Sequence, residues 1–199
     1  MILIETMPLI RLTAYTLSNL TFLIDIVNRS LDNAAGYHAG RKAGSDDSRS
    51  SLVTFENLRR RLEEEIQLSR RINAPLSLVS FRVDEYENYE TRLSPEVAQA
   101  MVAQIVQIVD KNKRKTDMLS YLGQGRFLLL MPHTAQDHTY PFIYRTREEA
   151  GALPFPVDPH TRMRLSFGVS GLTPATKDAT DIVSKANQAL EDSAQGVTN

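Results

Sequence analysis

The chain has 199 residues, 42% hydrophobic and 24% charged, with a formal net charge of -1. That balance belongs to an ordinary globular protein with one substantial core and an appendage, and it supplies no basic field for a nucleic-acid polymer or an anionic membrane. With no cysteine there is no disulfide framework and no thiol chemistry, which fits a cytoplasmic protein, and His38, His133, His138 and His160 show no metal-ligand spacing.

Taken in chain order, residues 5–32 carry Leu20, Leu23, Val27 and Leu31 at spacings of three and four, which predicts a helix. The apolar stretch from Leu9 to Val27 contains Arg11, Asn19 and Asp25 and falls short of a membrane span. No basic segment with a small-residue cleavage site marks a signal peptide. The helix stripe has no partner within its own segment. It is expected to dock on the main domain, to form a homodimer with a second copy, or to hold a partner protein. Residues 34–51 are small, polar and rich in Gly and Ser, and read as a flexible linker. The expected organisation is a helical segment over 1–33, a linker over 34–51 and a main domain over 52–199.

Within that domain, Thr54 is placed to cap a helix whose apolar face is Phe55, Leu58, Leu62 and Ile66, ending at Asn73-Ala-Pro75. Leu76 to Val83 reads as a strand that is apolar on both faces, hence central. Ser94-Pro95-Glu96 opens a second helix with Pro at its first position and a face of Val97, Met101, Ile105 and Ile108. It runs out in the cations Lys111-Asn-Lys-Arg114, suited to the helix C-terminus. A hairpin over about 117–122 and 127–131 turns through Gly-rich residues. A third helix follows through Phe142, Arg145 and Glu149, then a strand from Arg164 to Leu172 and a last helix from Asp178 to Asp192. The order α-β-α-β-β-α-β-α predicts an α/β (α+β) domain: a split βαβ, mainly antiparallel sheet flanked by helices.

Two short stretches carry chemistry. Arg114-Lys-Thr-Asp117 sets a guanidinium and a carboxylate three residues apart before the hairpin. Such a pair can read guanine, the Arg facing O6 and N7 and the Asp accepting from N1 and N2. Read without context, the same tetrapeptide is a weak surface salt bridge. The hairpin tip carries Gly125 and Arg126, where metal chemistry needs acids.

Further along, the residues carry a resemblance. Gly123-Gln-Gly-Arg-Phe127 followed by Leu-Leu-Leu-Met-Pro132 resembles the signature hairpin of the GGDEF, or diguanylate cyclase, family. Pro75 to Tyr86 resembles that family's apolar strand ending in Asp-x-Asp-x-Phe. Leu165-Ser-Phe-Gly-Val169 resembles its Ser-x-Gly strand, and Ala186-Asn-Gln-Ala-Leu190 its Ala-Asp-x-Ala-Leu helix. The resemblance implies a nucleotidyl-cyclase palm-like fold. It also shows what is missing. The family's acids, which hold two Mg²⁺ ions, are replaced by Arg82, Gly125 and Arg126, and Asp84 alone remains of the strand pair. Gln124 stands for the second signature Gly, Asn187 for the last helix's Asp, and Ala194 for its Lys. The expectation is a degenerate domain with no catalytic residue, no metal and no cofactor.

What the resemblance retains is the inhibitory-site Arg-x-x-Asp, here Arg114 and Asp117, five residues before the signature, with the family's third contributor falling on Arg145. The implied ligand is cyclic di-GMP, which such sites hold as an intercalated dimer that also accepts an Arg from a second protomer. Arg70, Arg71 and Arg147 are the further candidates for that part. Three functions remain open on the sequence: a cyclic di-GMP receptor acting through protein contacts, a nucleotide-independent interaction or localisation scaffold, and a residual enzyme or GTP-binding regulator whose metal site would be rebuilt on Asp84 with another acid such as Glu85 or Glu87.

Overall fold

The computed structural model of the chain describes residues 52–92, 95–153 and 162–196. The helix expected over 5–32 and the linker over 34–51 lie outside these residues. The described chain forms a five-stranded mixed sheet in the order β1-β3-β4-β2-β5, from β1 (Leu52–Val53), β2 (Leu76–Val83), β3 (Met118–Gly123), β4 (Arg126–Pro132) and β5 (Leu165–Gly171). Only β1, paired with β3, is parallel to its neighbour. The helices are α1 (Phe55–Ile72), α2 (Tyr86–Arg92), α3 (Pro95–Asn112), α4 (Tyr140–Ala152) and α5 (Ala179–Gly196), with a 3₁₀ turn at Gln136–Thr139 before α4.

The expected order holds, with two additions that hydrophobic periodicity does not signal. Strand β1 is only two residues long, too short for a period. Helix α2 is polar and anchored by the buried Tyr86. The cap at α1 forms as expected: the Thr54 hydroxyl accepts from the Asn57 N–H at 3.3 Å. The helix ends where Asn73 turns into the left-handed region and its N–H donates to the Ser69 carbonyl. The outer face of α1 is neutralised internally by Glu56–Arg59–Glu63, Arg60–Glu64 and Arg61–Glu65.

Strand β2 is buried on both faces because β4 and β5 flank it and helices cover both sides. Alternate side chains feed two cores. Leu76 and Leu78 join Leu58, Leu62, Ile66, Ile182 and Val183 beneath α1 and α5. Val79, Phe81 and Val83 join Met101, Ile105, Phe142 and Ile143 beneath α3 and α4. In the second core the register stacks Phe81 between Phe127 at 4.9 Å and Phe167 at 5.3 Å, with Tyr121 following at 4.9 Å from Phe127. These are all cross-strand partners, so one aromatic row crosses β3, β4, β2 and β5.

Helix α5 lies directly on β5. A Cβ on Gly168 would overlap the Leu190 N and the Ala186 carbonyl, both backbone atoms. Gly151 in α4 has only the Met163 carbonyl near such a position, at 3.8 Å. Gly168→Ala is therefore expected to cost about 3 kcal/mol, whereas Gly151→Ala should be neutral or stabilise by up to about 1 kcal/mol. Urea unfolding of the two variants beside the parent checks the opposite signs.

Candidate functional site

Two places that the sequence singles out lie at opposite ends of β3, roughly 20 Å apart along the strand. At one end is the hairpin tip. Gln124 and Gly125 both have positive φ, at 49° and 68°, as a two-residue type I′ turn requires. The Gly125 N–H donates to the Tyr121 hydroxyl at 3.2 Å, and its carbonyl accepts from the Val83 N–H at 2.9 Å. A Cβ at Gly125 would lie 2.7–3.0 Å from Tyr86 atoms. The tip is thus seated on Tyr86, in a conformation and a space that exclude an acidic side chain unless Tyr86 moves.

Beside the tip, Arg82 and Arg126 face each other across β2 and β4. Both donate to one carboxylate from α5: Arg82 Nη1 reaches both oxygens of Glu191 at 3.0 and 3.2 Å, and Arg126 Nη1 reaches Oε1 at 3.2 Å. One step inward, the Ser80 hydroxyl donates to Asn187 Oδ1 at 2.6 Å. Ser80 and Arg82 are two apart on a strand, while Asn187 and Glu191 are four apart on a helix. Those repeats nearly match, so the helix is laced to the strand by two successive polar contacts. Asp84 sits 3.7 Å from Arg82 Nε. These residues do not fit a divalent metal centre. Two guanidiniums stand where acids are needed, and Glu191 is already bound to both. Among the described residues no cluster of three or more His, Asp or Glu is placed to hold a metal ion.

At the other end, α3 stops at Asn112 and the chain turns through Arg114–Asp117 into β3. The turn is closed twice. The Asp117 N–H donates to the Arg114 carbonyl at 3.1 Å, and Asp117 Oδ2 accepts from the Arg114 N–H at 2.8 Å. Asp117 is 3% exposed. Burial pushes its carboxyl above the ordinary aspartate range, against the opposing pull of the Arg114 N–H bond and charge. The expected Arg114–Asp117 pair is therefore a backbone-anchored turn, with the Arg114 side chain exposed. Arg145 on α4 donates from Nε to Asn112 Oδ1 at 3.3 Å, which ties it to the same end of α3. Next to it, Lys111 pairs with Glu149 at 3.0 Å. Among the described residues neither Arg114 nor Arg145 has a carboxylate partner.

The other candidate arginines lie elsewhere. Arg70 donates to the carbonyls of Thr176 and Lys177, in the loop that enters α5. Arg71 is exposed beside it. Arg147 leaves α4 over the Phe167 ring of β5, 5.4 Å from its centroid. Glu191, Tyr86 and Asn112 are the residues that sequence reasoning passes over. Only the helical spacing from Asn187 to Glu191 hints at the first, and Asn112 is hidden in a run read for its cations.

A profile described as "Diguanylate cyclase, GGDEF domain" matches residues 47–199. The chain belongs to the GGDEF family. Solved structures of the family share its fold. The GGEEF domain of a Vibrio cholerae diguanylate cyclase superposes with a TM-score of 0.67 at 17% identity, over 71% of this chain and 90% of that one. SiaD of Pseudomonas aeruginosa, solved with its activator SiaC, gives 0.68 at 22% identity, over 90% and 70%. The GGDEF domain of Caulobacter crescentus DgcB, solved with c-di-GMP, gives 0.68 at 12% identity, over 78% and 93%. A search of curated proteins by sequence gave no match. Among the described residues of this GGDEF domain, no helix is long and apolar enough to cross a membrane.

Two outcomes follow from these geometries. Because Asp117 is held above its unfolded value, the folded chain binds that proton more tightly than the unfolded chain. The stability it contributes is fully present below the ordinary aspartate range and is lost as pH rises through the raised value. Asp117→Asn keeps an acceptor for the Arg114 N–H and should flatten this part of the profile in unfolding titrations run upward from the ordinary aspartate range. Glu191→Ala leaves Arg82 and Arg126 facing each other and should lower stability by about 1 kcal/mol, with added salt recovering part of the loss. Thermal unfolding at low and high salt reads it.

Proposed function

We propose that this GGDEF domain is catalytically inactive and acts as a receptor for cyclic di-GMP, bound by Arg114, Asp117 and Arg145. The observation that carries the reading is the pair of guanidiniums at the end of α3. Arg59, Arg60, Arg61, Arg82 and Arg126 are each matched to a carboxylate; among the described residues Arg114 and Arg145 are not, and, unlike Arg70, Arg71 and Arg147, which also lack one, both stand at the end of α3. A cyclic dinucleotide offers two phosphates and two guanine edges, which guanidiniums bind bidentately or stack upon. Asp117 holds the turn that presents Arg114. Its Oδ1 has only a long 3.4 Å contact with the Thr116 hydroxyl and keeps acceptor capacity for a guanine N–H. The similar DgcB domain was solved with c-di-GMP, which supports a ligand of this class. Inactivity is supported by Arg82, Gly125 and Arg126 in the places of acids, by the seat of Gly125 on Tyr86 and by the bridge to Glu191.

The output is a protein contact, made by a homodimer or a partner through the N-terminal segment. The similar SiaD, solved with a protein activator, offers a parallel for such control. Arg70, Arg71 and Arg147 remain the candidates for contacts from a second protomer.

Calorimetry with cyclic di-GMP tests the proposal. Saturable binding is expected, weakened at least about tenfold by Arg114→Ala and by Arg145→Ala, since each removes a charge-assisted contact. Incubation with GTP and Mg²⁺ should yield no dinucleotide. Equal heats from the parent and an Arg114→Ala, Asp117→Ala double variant would sink the receptor reading and leave the scaffold. Dinucleotide formation would sink inactivity.

A further inference from the structure

We infer that Asn112 is the positioning residue of this site: a neutral acceptor that aims Arg145 while leaving its charge unneutralised. The inference rests on the reading of Arg114 and Arg145 as a cyclic di-GMP site. Arg145 Nε carries one hydrogen and accepts nothing, so the amide facing it must present Oδ1, as it does at 3.3 Å. That choice turns Asn112 Nδ2 inward, where it is buried with no hydrogen-bond partner among the described residues. A buried donor left unmade is costly. The gain lies in the orientation of Arg145. With Nε engaged, the guanidinium plane is set and both Nη groups project for a ligand. The Lys111–Glu149 pair, a turn further along α4, joins the same two helices at 3.0 Å.

The residue type is specific to this task. A carboxylate at position 112 would orient Arg145 equally well but would form an ion pair with it and compete with a phosphate. An apolar residue would leave Arg145 unrestrained, and its ordering would have to occur on binding.

The test uses the full chain and cyclic di-GMP. Asn112→Leu is expected to weaken binding about fivefold or more, and the Asn112→Leu, Arg145→Ala double variant to bind no more weakly than Arg145→Ala alone. Asn112→Asp should also weaken binding, yet preserve the slowly exchanging Nε–Hε NMR signal of Arg145, which Asn112→Leu should lose. A merely structural role for Asn112 would lower the unfolding temperature and add to the Arg145→Ala effect instead of merging with it. If the parent binds and Asn112→Leu binds equally well, or the two effects add, the inference is overturned and the receptor reading stands. If the parent does not bind, both fall.

Discussion

The register between β2 and its two neighbours is the constraint on which the rest of this domain depends. Phe81 lies opposite Phe127 on one side and Phe167 on the other, and stacks on both. Slipping either pairing by one residue would break the row and set side chains of one core against those of the other. The same register fixes the next pair, Arg82 against Arg126, and seats the hairpin tip where the Val83 N–H meets the Gly125 carbonyl. A packing interaction in one core thus dictates the electrostatics at the end of the sheet.

On the other face, the close approach of α5 does comparable work. With hydrogen alone on Gly168, the helix backbone can reach the sheet. That proximity lets Asn187 meet the short Ser80 side chain and brings Glu191 within reach of Arg82. In a GGDEF domain with acids on the strand and the tip, this corner suits cations. Here the signs are reversed: the sheet supplies two guanidiniums and the helix supplies the carboxylate. The local charge is balanced within the protein, which removes the attraction that would hold a divalent ion.

The end of α3 shows the opposite economy of charge. Asp117 closes a backbone turn with one carboxylate oxygen, Asn112 offers Arg145 a neutral partner, and neither guanidinium has a carboxylate partner among the described residues. The helix C-terminus beside them carries a partial negative charge that tolerates cations. Among the described residues the two ends of β3 thus differ in how charge is matched, neutralised at the hairpin tip and not at the end of α3.

Much of this was legible in the residues. The apolar faces of α1, α3 and α5, the central character of β2 and the Gly-rich turn follow from periodicity and local backbone preference. That Arg82, Gly125 and Arg126 are not acids is a matter of residue identity, and the offset from Arg114 to the hairpin a matter of counting. Helix α2 and the two-residue β1 were not legible, because neither carries enough periodic apolar residues to signal itself. The sequence by itself determined which charges are present and their order along the chain. Only the tertiary structure decided which are matched: that Glu191, 65 residues from Arg126, closes one corner, and that Asn112, hidden among cations, holds Arg145 by an uncharged group. Pairing across elements depends on distances set by packing, and those are not written in local spacing.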